Sequence, residues 1–129
     1  MHHEYPIDKH QVLTPKLLQD ENFILMGPDH TTQTQLFQAF EQAGVKLKSS
    51  IHSHLFKNLL SFVKEDIGVA LEDDFAIEND HDPRFISRPF TPPIYTEMAI
   101  ITSATQPSSQ IGSEFLDLLK QKLKHYAAQ

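Results

Sequence analysis

The sequence predicts an α/β fold built on a mostly parallel sheet, and three observations carry that prediction. From Phe23 to Leu71 the order reads strand, helix, strand, helix, strand, the alternation that places helices over parallel strands. The helical stretches repeat apolar residues every three or four positions, whereas "NFILM" and "IGVAL" are short unbroken apolar runs suited to buried strands. Between these runs fall the breakers Pro15, Gly27-Pro28, Gly44, Pro83, Pro89 and Pro92-Pro93.

Taken in order, "LTPKLLQD" reads as a short helix with Thr14 as N-cap and Pro15 at the first helical position, where a missing N–H costs nothing. "NFILM" follows as a buried strand that Gly27-Pro28 ends. Asp29 is placed to cap the next helix, in which Thr31 to Ala43 sets Leu36, Phe37 and Phe40 on one face and Gly44 supplies the stop. Val45 to Ser53 alternates Val45, Leu47 and Ile51 with polar neighbours, as a strand with one buried face does. Leu55, Phe56, Leu59, Leu60, Phe62 and Val63 then return to helical spacing before "IGVAL". "LEDDFAIEND" reads as a solvated loop or short turn. "RFISRPF" and "IYTEMAIITS" read as two further strands, and Ser108 to Tyr126 as an amphipathic helix with its stripe on Ile111, Phe115, Leu118, Leu119, Leu123 and Tyr126.

Composition narrows the function classes. A chain of 129 residues is long enough for one core without staples, and with no cysteine it excludes disulfides, thiolate metal sites and thiol catalysis. A formal charge of −6 without a Lys/Arg cluster argues against direct nucleic-acid binding, since phosphate neutralisation supplies most of that affinity. No apolar run approaches the roughly 18 residues of a membrane span, and the first residues lack a signal-peptide pattern, so a cytoplasmic chain is expected.

In a parallel sheet, ligands collect outside the carboxyl ends of the strands. Three segments are expected there: "GPDHTT", "HSH" and "EDD". Two of them open helices, whose unpaired N–H groups and positive dipole end suit an anion. Ser53 is expected to cap the helix beginning near His54, with its hydroxyl turned to backbone N–H groups or to a ligand, and His30, Thr31 and Thr32 stand in the same position on the earlier helix. His52 and His54 offer two nitrogens to a metal, with Asp73, Asp74 or the Asn79–Asp82 run as further donors, but no HExxH or comparable motif fixes the set. No GxSxG, GxGxxG or Walker loop is present, so catalysis has no sequence support.

Three stretches, "LTPKLLQDENFILMGPDHTTQTQLFQAFEQAG", "FKNLLSFVKEDIGVAL" and "RFISRPFTPPIYTEMAIITSATQPSSQIGSEFLDLLKQKL", together resemble the C-terminal part of the effector-binding domain of LysR-type transcriptional regulators. The resemblance implies a Rossmann-like, three-layer lobe of the type II periplasmic-binding-protein kind, binding a small effector, expected to be an organic anion, in a cleft. On that pattern residues 1–13 are a hinge or terminal segment and 14–93 the second lobe. Residues 94–129 are then a return crossing strand and C-terminal helix that pack on a first lobe lying outside this sequence. Position by position, the cleft contacts fall on Ser53, His54 and Leu55, with His30, Thr31 and Thr32 adjacent. The helix 31–43 and the strand after it correspond to elements that contact a second copy, which implies a homodimer. Neither a cofactor, a bound metal, a membrane nor a reaction is implied. The DNA-binding winged helix is not in the chain, so this sequence is read as a fragment that does not bind an operator by itself.

Two positions depart from the pattern: Asp66 stands where a glycine is common, in a turn that Asp tolerates in the left-handed conformation, and Glu72 stands where a proline is common. The rival readings are a metal-binding or other small-ligand module using His52 and His54, and a small hydrolase.

Overall fold

The computed structural model describes residues 9–27, 30–97 and 99–127. The chain divides into two units, 1–96 and 97–129. The first is organised around β1 (Asn22–Met26), which pairs in parallel with β2 (Lys48–Ser53). α1 (Thr31–Gln42) connects the two strands, α2 (Phe56–Lys64) follows β2, and the single turn α3 (Asp74–Ile77) comes next. The pairing runs from Asn22 opposite Lys48 to Met26 opposite Ser53, and it skips Ser50, so β2 carries one extra residue. The Ser49 hydroxyl donates to the Ile51 carbonyl at 3.3 Å across that bulge.

"IGVAL" lies in parallel along the other edge of β1, as a single bridge at Val69 rather than the predicted strand. Ile24 N–H donates to Val69 O at 2.8 Å and Val69 N–H to Asn22 O at 2.9 Å. The approach is tight because residue 68 is glycine: a Cβ there would collide with Asn22 O. β1 is therefore flanked on both sides by parallel chain, and its side chains alternate between two cores. Phe23 and Leu25 pack with Leu36 and Phe40 of α1, together with Leu13 and Leu18. Ile24 and Met26 pack with Leu59 of α2. The Phe23 and Phe40 rings meet edge to face at 5.4 Å between centroids.

Both long helices of this unit end in the same way. α1 ends with Gly44 N–H bonded to Glu41 O and Val45 N–H to Phe40 O, with Gly44 at φ 69°. α2 ends with Asp66 N–H bonded to Val63 O and Ile67 N–H to Phe62 O, with Asp66 at φ 60°. These are Schellman ends, which call for a left-handed residue after the C-cap. Asp66 fills the role expected of it, and Gly44 is the predicted stop.

Several predicted elements are shorter in the structure or absent. "LTPKLLQD" forms hydrogen-bonded turns over 15–20 in place of a helix. Thr14 does serve as a cap there, its Oγ1 accepting from Leu17 N–H at 3.4 Å, and the turns end as Glu21 N–H bonds Leu18 O and the chain enters β1 at Asn22. "RFISRPF" contributes one bridge, Phe90 to Leu13, because Pro89 and Pro92 on either side have no N–H to extend a ladder. "IYTEMAIITS" has no strand among its described residues, and Ile101 is 91% exposed. A strand exists only through hydrogen bonds to a neighbouring backbone, whereas Tyr95 of this stretch is bonded by the Gln35 side chain. Asp29, the expected cap of α1, lies outside the described residues. His30 occupies the N-cap position, extended at φ −85° and ψ 126°, with no side-chain cap.

The second unit holds α4 (Gln110–Ala127). Ser109 caps it, the Oγ accepting from Gly112 N–H at 3.0 Å, and Lys124 and His125 lie in the last turn, where the helix dipole favours cations. Ile111, Phe115 and Leu118 of its apolar stripe are exposed, while Leu116, Leu119 and Leu123 are half-buried.

Candidate functional site

Because β1, β2 and the Val69 segment run parallel, their carboxyl ends share one edge, and the last paired residues there are Met26 and Ser53. The chain leaves this edge through Gly27 toward α1, through His54 and Leu55 toward α2, and through Leu71 to Asp73 toward α3. The predicted ligand residues thus come from neighbouring exits of one small sheet.

Ser53 is buried, and its hydroxyl is turned back on its own chain: Oγ accepts from Leu55 N–H at 3.2 Å and donates to Leu55 O at 3.1 Å. This corrects the expectation that Ser53 caps α2. The N-cap is Leu55, without a side-chain cap, and Ser53 instead holds a serine turn that presents residues 54 and 55 outward. Leu55 is 63% exposed. His54 is also exposed, yet its imidazole lies over Gly27, where a Cβ would meet Nδ1 at 2.9 Å and Cε1 at 3.2 Å. The glycine ending β1 thereby makes room for the ring that begins the second crossover.

At the start of α1, Thr31 is exposed, while His30 and Thr32 are half-buried. Thr32 lines a cavity of about 20 Å³ whose other walls are Ile24, Leu25 and Met26 of β1, Gln33 and Leu36 of α1, Leu59 of α2, and Leu71. Of the six residues predicted at the site, only Thr32 reaches this cavity. His54 packs beside Gly27 at the same edge, and Leu55 and Thr31 face outward.

Two more residues mark the edge: Gln33, which the sequence pattern did not single out, and Glu72, which it noted only as a departure and as part of "EDD". Gln33 is buried at 7% exposure, and its Oε1 has no hydrogen-bond partner among the described residues. It stands three residues before Leu36 and seven before Phe40, so it is a polar residue on the buried stripe, which was the signal available. Glu72 is half-buried with both carboxyl oxygens shut from solvent and unpartnered. Burial, and secondarily the charge of Asp73, push its pKa up to about 7. A lone acid directly after an apolar run, where a proline is common in the resembling family, was the corresponding clue.

The strongest ion pairs lie away from this edge, at the far end of α2. Lys64 Nζ reaches Asp80 at 2.7 Å and Asp82 at 3.5 Å, and Arg84 reaches Asp82 at 2.7 Å. The hydrogen bond from Lys64 lowers the Asp80 pKa, and those from Arg84 hold Asp82 well below the usual carboxylate range. This group pins the loop after α3 to α2.

Among the described residues no three His, Asp or Glu side chains gather as a metal-binding group, so the exposed His52 and His54 have no third ligand there. No helix among them is long and apolar enough to cross a membrane. A search of curated proteins finds no match. The family description of the LysR substrate binding domain matches residues 1–124, nearly the whole chain, and the chain belongs to that family.

Proposed function

We propose that this chain is the effector-sensing lobe of a LysR-type bacterial transcription regulator. Membership of the family makes it part of a ligand-binding module in transcription regulation. The finer reading is a three-layer, Rossmann-like lobe of the type II periplasmic-binding kind. It is supported by α1 and α2 packing on opposite faces of β1. In this reading residues 14–93 are the second lobe, with 1–13 as a hinge and 94–129 as the return crossing to a first lobe. Helix 31–43 and the strand after it contact a second copy, and the regulator works in the cytoplasm. No reaction is proposed.

The observation that carries the reading is the convergence at the carboxyl edge: the serine turn at Ser53 presents His54 and Leu55 beside Gly27, and α1 opens next to them with His30, Thr31 and Thr32. Two helix starts without side-chain caps leave N–H groups for an organic anion. An effector shifts a regulator only through a difference in affinity between its arrangements, so closure over this edge is the signalling event.

Calorimetric titration of organic anions against the regulator carrying this lobe is the test. Changing Ser53 and His54 to Ala is expected to weaken binding at least tenfold, equivalent to about 1.4 kcal/mol. Unchanged affinity in both variants removes the assignment of this edge.

A further inference from the structure

The carboxyl edge holds a feature that anion binding at helix starts does not use. Gln33 sits in the first turn of α1, more than nine-tenths buried, and forms part of the wall of the cavity with Thr32, Leu36 and Leu71. Among the described residues its Oε1 is an acceptor without a donor. A buried amide oxygen left in that state costs free energy, and native interiors rarely keep one without a partner. The β1 and α2 walls of the cavity are aliphatic or thioether side chains, which have no donor to offer. Glu72, next in the chain after Leu71, does not line the cavity, so Gln33 is the orphaned acceptor of its wall. The cavity of about 20 Å³ has room for one group of about the size of a water molecule.

We propose that this cavity is a subsite for one hydrogen-bond-donating group of the effector, an N–H or O–H that is received by Oε1 of Gln33. The inference rests on the sensing role proposed above and narrows its ligand class. The open N–H groups of the helix starts take the carboxylate, and Gln33 takes a donor on the same molecule. The effector is then an organic anion that also carries a hydroxyl, amino or amide group, such as a hydroxy acid or an amino acid, and not a plain carboxylate. A neutral amide acceptor suits this task because it selects for the donor without adding a negative charge beside the carboxylate.

The experiment is an NMR titration of the full 129-residue chain with two probes of nearly equal size and shape, acetamide and acetone, which share a carbonyl but differ in having N–H donors. Acetamide is expected to shift the backbone amides of Thr32, Gln33 and Leu71 saturably, and acetone to leave them in place. Gln33→Met keeps the side-chain length and removes the acceptor. It is expected to weaken acetamide binding by about fivefold, the worth of one neutral hydrogen bond. Equal responses to the two probes, no saturable response to acetamide, or undiminished acetamide binding in Gln33→Met would each overturn the subsite. The comparison of probes on the unaltered chain decides the matter even if the variant is unstable. The two proposals fail separately: effector binding that depends on Ser53 and His54 but ignores Gln33 removes the subsite alone, whereas loss of that dependence removes the sensing edge itself.

Discussion

The two crossovers of the first unit, β1 to β2 through α1 and β2 to Val69 through α2, share one grammar and differ in depth. Each helix starts without a side-chain cap at the carboxyl edge and ends in a Schellman turn. Yet α1 buries Gln33, Leu36, Ala39 and Phe40, while among the α2 residues whose burial is described Leu59 is the buried apolar one, with Leu60, Phe62 and Val63 only half-buried. The difference comes from what covers them. The α1 cluster is closed by Leu13, Leu18, Phe90 and Ile94 from distant parts of the chain, and Gln35 ties α1 to Tyr95 with a hydrogen bond in each direction, at 2.9 and 3.1 Å. The α2 cluster gathers Ile51, Phe62, Val63 and Ala70, all from the crossover itself. Helix stability here follows tertiary cover more than local propensity.

Truncation of each core breaks the comparison most directly. Phe40→Ala is expected to cost about 4 kcal/mol, by loss of transfer free energy and of packing against Phe23, and Leu59→Ala about 3 kcal/mol. Urea unfolding measures both, and a larger loss at Leu59 would reverse the proposed ranking of the two faces. Gly68→Ala attacks the landing of the second crossover. Its Cβ would meet the Asn22 carbonyl, a backbone atom that cannot step aside without disturbing β1, and a loss of roughly 2 kcal/mol is expected. A neutral result would mean that the Val69 bridge yields freely.

Glu72 offers a pH test of the same edge. Its folded pKa, about 7, lies above the ordinary value of 4.5, so between those two values the folded state holds a proton that the unfolded state has lost. Stability from this group is therefore complete below pH 4.5, declines as pH rises to 7, and is flat above it. Glu72→Gln should flatten that decline and raise stability at pH 8 by about 1 kcal/mol, allowing for the partial screening of a half-buried group, with little effect at pH 4. Thermal melts across that range report the effect, and parallel curves for the two proteins would contradict it.

The smallest effects sharpen the comparison at the helix ends. Gly44→Ala should cost about 1 kcal/mol, since it places a Cβ at a left-handed position, and Asp66→Gly should gain about 0.5 kcal/mol by relieving the same conformation. A loss on Asp66→Gly would show that the aspartate side chain stabilises its turn by more than its backbone strain costs.

The sequence alone determined the order of elements from Phe23 to Val69, the parallel alternation, the Schellman position at Gly44 and the tolerance for Asp66, because period, capping and turn chemistry act over a few neighbouring residues. It also placed Ser53, His54 and Thr32 near one sheet edge, since strand direction decides which loops meet. The tertiary structure decided the rest. Whether "RFISRPF" and "IYTEMAIITS" become strands depends on hydrogen-bonding partners that no local pattern contains, and the first is reduced to one bridge at Phe90. Ser53 could be recognised as a cap residue, but only the fold shows its hydroxyl spent on Leu55. Likewise Gln33 and Glu72 are ordinary polar residues in the sequence. They become consequential because packing carries them out of water without giving them partners, and burial is a property of the whole chain.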